Sequence, residues 1–511
     1  MHMNKKFWAL MLVLPLCTFC GGKDNPQPEP EPEPDPEIVI SGDKEFTVAS
    51  EGGSGTVTFT SNVDWTAVPD DAWMTVSPES GKASKSPVTI TFSCGENPNL
   101  KNRSTYIVLS GPGVEKNLSV VQSGNPMAGA ATEVKNGDKV LANSPLVEKF
   151  LTEVTYADKT YKEGTKVFDY YGGFDGKTLT WDNWETDWPD GDKPESYSIR
   201  WDKEDMESGK MSLLLSDELG WSGTMEIEDG ARYVNITNLV PNDKYSYKVT
   251  TASGKVLTQG QFETTGTIHQ CFFSGNIKKK NGVTLKGEGA RNCRDLGGWK
   301  TLDGKTIKYR KVYRGGRLNE KWTPYPLNEQ GEKEVLFEGI GAELDLRGKS
   351  DVIHEPAVAG LDHCSPVIEQ GGKTMLVSDA EKTKECFLFV VNSVRKGKPV
   401  HFHCSLGRDR TGTLSILLMG LLGVREGDIA KEYELTYFAP VGYSVSSSDK
   451  QSNPTPVFKN TRKEWVYSDV VPYFWELAGD GTFAQGVENY LLNVAGVSQQ
   501  DIDDFRNLML E

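Results

Sequence analysis

Towards its C-terminal end the chain reads His403-Cys404-Ser405-Leu406-Gly407-Arg408-Asp409-Arg410-Thr411-Gly412. A strand-like stretch, Pro399 to His403, precedes it, and a helix-like stretch, Gly412 to Val424, follows. A short loop between a strand end and a helix start turns its backbone N–H groups inward. With the positive end of the helix they form a cradle for an anion. Cys404 stands at the mouth of that cradle, and cysteines so placed titrate at about 3.5–7.5 rather than ~8.5. Arg410 closes the far side, where its planar fork can hold two oxygens of a phosphoryl group, which lysine does poorly. The loop Ser405, Leu406, Gly407, Arg408, Asp409, Arg410 is therefore the candidate phosphate-binding surface. Thr411 can give its hydroxyl to the Cys404 sulfur when that sulfur departs, and His403 can orient the loop through its ring nitrogens. Protonating a leaving oxygen needs a carboxyl group. Asp409, inside the loop, is favoured, and Asp379, ahead of the helix that leads into the cysteine strand, is the alternative. Asp295 and Asp345 are expected to pair with Arg294, Arg314 or Arg347 and hold the scaffold.

From about Thr267 onward, strand-like and helix-like stretches alternate. Ala342 to Leu346 and Pro399 to His403 read as buried strands, and Lys382 to Arg395 and Gly412 to Val424 as helices. This alternation predicts an α/β sheet domain over 267–511. The 6 His are dispersed without zinc spacing, so neither a metal nor a cofactor is expected. His401 alternates with His403 along one strand face, and a structural role is expected for it.

The Cys-x5-Arg-Thr loop is similar to that of the cysteine-dependent phosphatases. Gly407-Arg408-Asp409-Arg410-Thr411-Gly412 resembles the loop of an atypical bacterial tyrosine phosphatase family with activity on proteins and phosphoinositides. Three upstream stretches resemble that family in order: Asn292-Cys293-Arg294-Asp295-Leu296-Gly297-Gly298, Tyr313-Arg314-Gly315-Gly316-Arg317-Leu318, and Leu344-Asp345-Leu346-Arg347. Arg408 stands where the family has Lys, Cys293 where it has an aromatic, and Gly315 where it has Ser. The resemblance implies a Cys404 nucleophile and a phosphocysteine intermediate. It implies a phosphorylated protein as substrate, with a phosphoinositide or inositol phosphate as the alternative. Cys293, Cys364 and Cys386 share the domain and are candidates for a protective disulfide with Cys404.

The rest of the chain must hold and place this domain. With 511 residues, about three domains are expected. A net charge of −16 argues against a nucleic-acid partner held by bulk positive charge. Residues 1–22 carry Asn4-Lys5-Lys6, an apolar run Phe7 to Leu16, then Cys17 and Cys20. That pattern fits a secretory leader and resembles a bacterial lipobox, with Cys20 the expected lipidation site and Cys17 the alternative. Residues 23–37 alternate proline with acid and predict an extended spacer. The expected location is the cell envelope, as a membrane-anchored lipoprotein facing the periplasm or the cell surface.

Residues 38–125 show short alternating strands and turn signals. The steps Ser61 to Trp65 and Trp73 to Pro78, with Arg103 and a closing Val120 to Gly124, resemble the BACON domain, a β-sandwich with proposed glycan binding. Trp65 and Trp73 are expected in its core. Residues 128–265 read as a second β-sandwich, with strands at Thr178 to Trp181, Tyr197 to Trp201, Tyr233 to Ile236, Tyr245 to Val249 and Lys255 to Thr264. The step from Leu239 through Pro241 to Tyr245 resembles the tyrosine corner of immunoglobulin and fibronectin III folds. The Trp-rich stretch from Trp181 to Asp192 is expected to be a solvated loop, and Trp188-Pro189-Asp190 within it a coincidence. The expected architecture is thus multidomain: two N-terminal all-β sandwich modules and a C-terminal α/β phosphatase domain. A second functional class stands beside the enzyme: a surface glycan-binding protein whose α/β domain is non-catalytic.

Overall fold

The computed structural model describes residues 34–99, 101–153, 192–202, 209–275, 278–280, 283–285, 289–319, 327–439 and 465–511. The leader with Cys17 and Cys20, most of the proline-rich spacer, the strand expected at Thr178 to Trp181 and the Trp188-Pro189-Asp190 step lie outside these residues. No helix among the described residues is long and apolar enough to cross a membrane. The described chain forms two compact units, 34–97 with 101–124, and 98–99 with 125–511.

The first unit is all β. One sheet has the order Ile38–Ser41, Gly53–Ser61, Ser84–Cys94, Met74–Ser77. The other has the order Glu45–Val48, Val114–Gln122, Arg103–Gly111, Trp65–Pro69, Ser80–Gly81. Alternation puts Val57, Phe59, Ile90 and Phe92 in the core, while the intervening threonines stay outside it. Trp65 is buried edge-on to Phe59, ring centres 4.9 Å apart. Gly81 makes this possible, since a Cβ there would fall 2.5 Å from the Trp65 ring. Trp73 is half-buried beneath the Arg103 guanidinium, 4.2 Å from the ring centre.

The second unit begins with a β portion of two sheets. A five-stranded sheet runs Lys139–Leu141, Val256–Thr265, Lys244–Thr251, Met211–Asp217, Ser222–Ile227. A three-stranded sheet runs Thr132–Glu133, Tyr197–Arg200, Tyr233–Ile236. The strands Met211–Asp217 and Ser222–Ile227 were not expected from the sequence. Met211, Leu213, Leu215 and Ile227 alternate into the shared core. Tyr245 Oη accepts the backbone N–H of Val240 at 2.8 Å.

The α/β portion carries a six-stranded sheet in the order Gln270–Phe273, Ala290–Asp295, Val312–Gly315, Val400–His403, Ala342–Asp345, Asp362–Cys364. The last four strands are mutually parallel, and the first two pair antiparallel at one edge. Val400–His403 is flanked on both sides by parallel neighbours, and all four of its residues are buried. The helices Ala380–Arg395 and Asp409–Leu421 lie close to the stretches expected. The second is apolar all round, and every residue from Thr411 to Leu421 is buried, as such a composition requires.

The β and α/β portions share a core. Val147, Phe150 and Leu151, on the helix Pro145–Glu153, join the main α/β cluster. The Phe150 ring lies 5.3 Å from Phe438, and Lys431 Nζ donates to the Leu151 carbonyl at 3.0 Å. Charges cross as well. Arg310 donates to Glu338, to Asp217 at 3.3 Å and to Tyr245 Oη at 3.0 Å, and lies 4.0 Å over the Trp221 ring.

Candidate active site

The cysteine loop leaves the central strand at its carboxyl end, where open α/β sheets place their ligands. His403 closes the strand and Asp409 opens the helix. Two glycines let the loop close tightly. Gly407 adopts a left-handed φ of 70°, and a Cβ on it would meet the Gly315 carbonyl 2.5 Å away. A Cβ on Gly315 would in turn lie 2.5 Å from Cys293 Sγ and 2.7 Å from His401 Nε2. The two departures from the resembling family, Cys293 and Gly315, are thus in contact: the cysteine sulfur fills the space a larger residue at 315 would need.

Cys404 is buried. Burial pushes its thiol up, but Arg410, the Thr411 hydroxyl and the Thr411 N–H outweigh it and bring it down to about 7. Thr411 Oγ1 is buried with no hydrogen-bond partner among the described residues, and it is one of the groups that lower the Cys404 thiol. The other cysteines behave oppositely. Burial drives Cys293 and Cys364 up to about 12 and Cys271 and Cys386 well above their ordinary value. No disulfide forms among the described cysteines. Cys293 Sγ instead faces His401 Nε2 at 3.6 Å, and Cys364 Sγ faces Glu385 at 3.5 Å, so the expected protective pairing with Cys404 is not made.

Arg410 donates to the Ile368 carbonyl at 3.0 Å and to Ser405 Oγ at 3.3 Å. Asp351 accepts from the same Ser405 hydroxyl and lies 3.9 Å from Arg410. Sequence reasoning missed Asp351; its place six residues after Asp345 carried no signal of its own. Arg408 is buried, and its fork grips both carboxylate oxygens of Asp409 at 2.7 and 3.0 Å. The Arg408 side chain is thus engaged with the candidate acid. Asp379 precedes the helix Ala380–Arg395 and pairs with Lys382 at 2.9 Å, with no bond to the cysteine loop among its described contacts.

Behind the loop sits a buried ionic layer. His403 Nε2 bonds Glu343 at 2.9 Å and its Nδ1 lies 3.3 Å from the Cys404 carbonyl. Asp345 takes the Arg347 fork at 2.9 and 2.8 Å, as expected. Burial pushes the Asp345 carboxyl up, but His403 and Arg347 together hold it below its ordinary value. Asp295 departs from expectation. It bonds His269 at 3.2 Å and accepts the backbone N–H groups of Gly297 and Arg310. Arg294 and Arg314 turn instead to Glu432, at 2.8 and 3.1 Å. His401, driven well below its ordinary value by burial and by its neighbours His403 and Arg314, is a neutral core residue.

His269, Cys271 and Glu338 bring three potential ligand atoms together among the described residues. The Glu338 oxygen involved already accepts from Arg310 and from Tyr313 Oη, the latter at 2.8 Å, and His269 Nε2 faces the Asn238 carbonyl at 2.9 Å. A guanidinium on that oxygen repels a cation, so this is an ion-pair cluster.

Residues 285–511 match the model of a tyrosine phosphatase family. The matched residues span the cysteine loop and all three upstream stretches. A protein of Cupriavidus necator, named as a candidate tyrosine-protein phosphatase, is 26% identical over 166 residues, 28% of this chain. The chain spans 59% of that curated relative. Residues 40–125 match the model of a viral BACON domain. Among solved structures, a Bacteroides ovatus GH5 xyloglucanase with a bound heptasaccharide shows 13% identity and a TM-score of 0.17, covering 22% of this chain and 28% of its own. A Bacteroides thetaiotaomicron protein shows 14% identity and a TM-score of 0.13, covering 20% of this chain and 97% of its own. Likeness at that level carries no argument here.

Proposed function

We propose that the C-terminal region is a phosphomonoesterase that works through Cys404. The observation that carries this reading is the geometry of the loop, with a buried Cys404 just past the central strand, Arg410 bonded back to Ser405 at 3.3 Å and the helix Asp409–Leu421 opening behind it; Arg410 and Thr411 accordingly lower the thiol. The Cys404 thiolate attacks phosphorus and the phosphorus–oxygen ester bond breaks. Asp409, protonated on one carboxylate oxygen while Arg408 keeps the other, gives the leaving oxygen that proton. A water then attacks the phosphocysteine, Asp409 takes its proton back, and the sulfur leaves as thiolate toward the Thr411 hydroxyl. The balance is ester plus water to alcohol plus phosphate.

A phosphotyrosine protein is the substrate class favoured. The Arg408 charge is engaged with Asp409, which speaks against a second cation held over the loop for a polyphosphorylated inositol. The second β portion is read as an immunoglobulin- or fibronectin III-like sandwich, supported by its two sheets and the Tyr245 tie. A glycan-binding role for the first module gains no support from its tryptophans: Trp65 is buried and Trp73 lies under Arg103. The leader pattern of residues 1–22 and the spacer support a lipid on Cys20 and an envelope location.

The test is phosphate release by the chain and by Cys404→Ser. Substrates are a phosphotyrosine peptide, a phosphoserine peptide, a phosphoinositide panel and inositol hexakisphosphate. Release from the phosphotyrosine peptide that vanishes in the variant is expected. Preference for a phosphoinositide would move the substrate class, and release by neither protein would sink the reading.

A further inference from the structure

We propose that Asp192, which belongs to the β portion of the second unit, is a positioning residue of the phosphate loop, so that this β portion completes the active site. The inference rests on the phosphatase reading of Cys404. Asp192 is 5% exposed and lies just ahead of the strand Tyr197–Arg200. Its carboxylate accepts Arg291 Nε at 3.1 and 3.0 Å, and a second Arg291 nitrogen on one of the same oxygens. It also accepts the backbone N–H of Asn292 at 2.8 Å. Its own carbonyl is held by Gln270 Nε2 at 3.2 Å, and Gln270 Oε1 takes the N–H of Ser144 at 2.6 Å.

Asn292 is where this grip becomes functional. It is 1% exposed and adopts a left-handed φ of 60°, a conformation that costs a non-glycine residue about 1 kcal/mol or more. The bond from its N–H to Asp192 helps to fix that conformation. The conformation aims its carboxamide at the loop. Nδ2 donates to the carbonyls of Leu406 at 3.2 Å and Gly407 at 3.1 Å, and Oδ1 accepts Arg294 Nη1 at 2.6 Å. Arg314 donates to the Gly407 carbonyl as well.

Those two carbonyls matter because a peptide unit is planar and trans. Its C=O and N–H point in opposite directions. Pulling the Leu406 and Gly407 carbonyls outward turns the N–H groups of Gly407 and Arg408 the other way, into the cradle where the anion and the Cys404 thiolate sit. Asp192 therefore acts on the chemistry through Asn292, two bonds removed, from a segment more than two hundred residues upstream of the cysteine.

The test uses the full chain with Asp192→Asn, Asp192→Glu, Asn292→Ala and the double variant Asp192→Asn/Asn292→Ala. Alkylation of Cys404 by iodoacetamide across pH reads the thiolate without requiring turnover. Inhibition by inorganic phosphate reads the cradle, and the melting midpoint reads the fold. Asp192→Asn removes the charge on a bond to the Asn292 backbone. It is expected to raise the midpoint of the alkylation profile, weaken phosphate inhibition and lower kcat/KM about tenfold. Asp192→Glu is expected to recover part of each loss. In the Asn292→Ala background Asp192→Asn should add nothing. The proposal is overturned if Asp192→Asn changes only the melting midpoint, or if its effect and that of Asn292→Ala multiply. Should Asp192→Asn not fold, Asn292→Ala with a wild-type alkylation profile and wild-type phosphate inhibition overturns it equally. If the wild-type chain releases phosphate from nothing, the phosphatase reading fails while the alkylation profiles still decide the role of Asp192.

Discussion

The two β-rich regions solve the same problem in different ways. The first unit closes on itself. Its core runs from Ile38 to Val120, and the buried Gln122 side chain is held inside it, donating to the carbonyls of Ala49 and Gly95. The β portion of the second unit has an apolar core of its own, but Asp192 and Asp217 are buried and take their charge partners from the α/β portion, Arg291 and Arg310. A buried charge without a partner costs several kcal/mol. A sandwich that satisfies its own charges can be removed, whereas one that lends them out cannot. The largest effect expected from this difference is all-or-none. Deleting residues 23–124 should leave phosphate release within about twofold. Deleting residues 125–265 should leave no soluble, folded product, because it strands Arg291 and Arg310 and uncovers Phe438. Recovery of an active enzyme from the second deletion would break the comparison.

Single residues sharpen it. Arg310 is 7% exposed; burial opposes its charge, and Glu338, Tyr245, Tyr313 and Asp217 overcome that. Arg310→Met should destabilise the second unit by about 3–5 kcal/mol, since it leaves Glu338 and Asp217 buried without their cation. Arg103→Met, which loses a stack over a half-buried Trp73 and the bond to Gln122 Oε1 at 2.9 Å, should cost the first unit about 2 kcal/mol. Urea unfolding followed by separate probes of each unit reads both. Equal costs would mean that the shared charges do not decide the difference.

The third effect separates Cys404 from the other buried thiols. Its folded value of about 7 lies below the ordinary 9.0. The thiolate therefore predominates above about pH 7 and is lost as the pH falls through that value. At pH 6 it should be about a hundredfold more abundant than for an unshifted thiol. Alkylation followed by mass mapping should show Cys404 labelled with a midpoint near pH 7, and Cys293 and Cys386 unlabelled in the folded chain up to pH 9. A Cys404 midpoint near 9 would remove the electrostatic basis of the proposed mechanism.

The pattern of what could be read in advance follows from distance along the chain. Cys404, Arg410, Thr411 and the strand and helix around them lie within a few turns of sequence, so residue type and spacing already fixed their geometry. The ion pair of Asp345 with Arg347 was legible for the same reason. Asp351 and Asp192 were not, because a carboxylate acquires its role from whichever cation or hydroxyl the fold brings to it. Asp295 went to His269 rather than to a neighbouring arginine because the edge strand Gln270–Phe273 lies against Ala290–Asp295, a pairing that local pattern does not announce. The strands Met211–Asp217 and Ser222–Ile227 were missed because a run such as Met211-Ser-Leu-Leu-Leu fits a strand or a helix equally until its partner strand is known.

The smallest expected effect tests a packing relation that sequence comparison alone would treat as two separate departures. A methyl group on Gly315 would meet Cys293 Sγ at 2.5 Å and His401 Nε2 at 2.7 Å. His401 sits in the rigid central strand, so the cysteine must give way. Gly315→Ala should therefore cost about 1–3 kcal/mol through overpacking. Cys293→Ala empties the sulfur's share of that space, and in its background Gly315→Ala should cost less, the contact with His401 Nε2 at 2.7 Å remaining. The first unit holds the matching case: Gly81 lies against Trp65, and Gly81→Ala should be relieved only by shrinking Trp65, at a larger cost to its own core. A double-mutant cycle on unfolding free energy decides each pair. Additive costs at Gly315 and Cys293 would show that the two positions do not share one volume, and that the Gly315 penalty comes from His401 rather than from the sulfur.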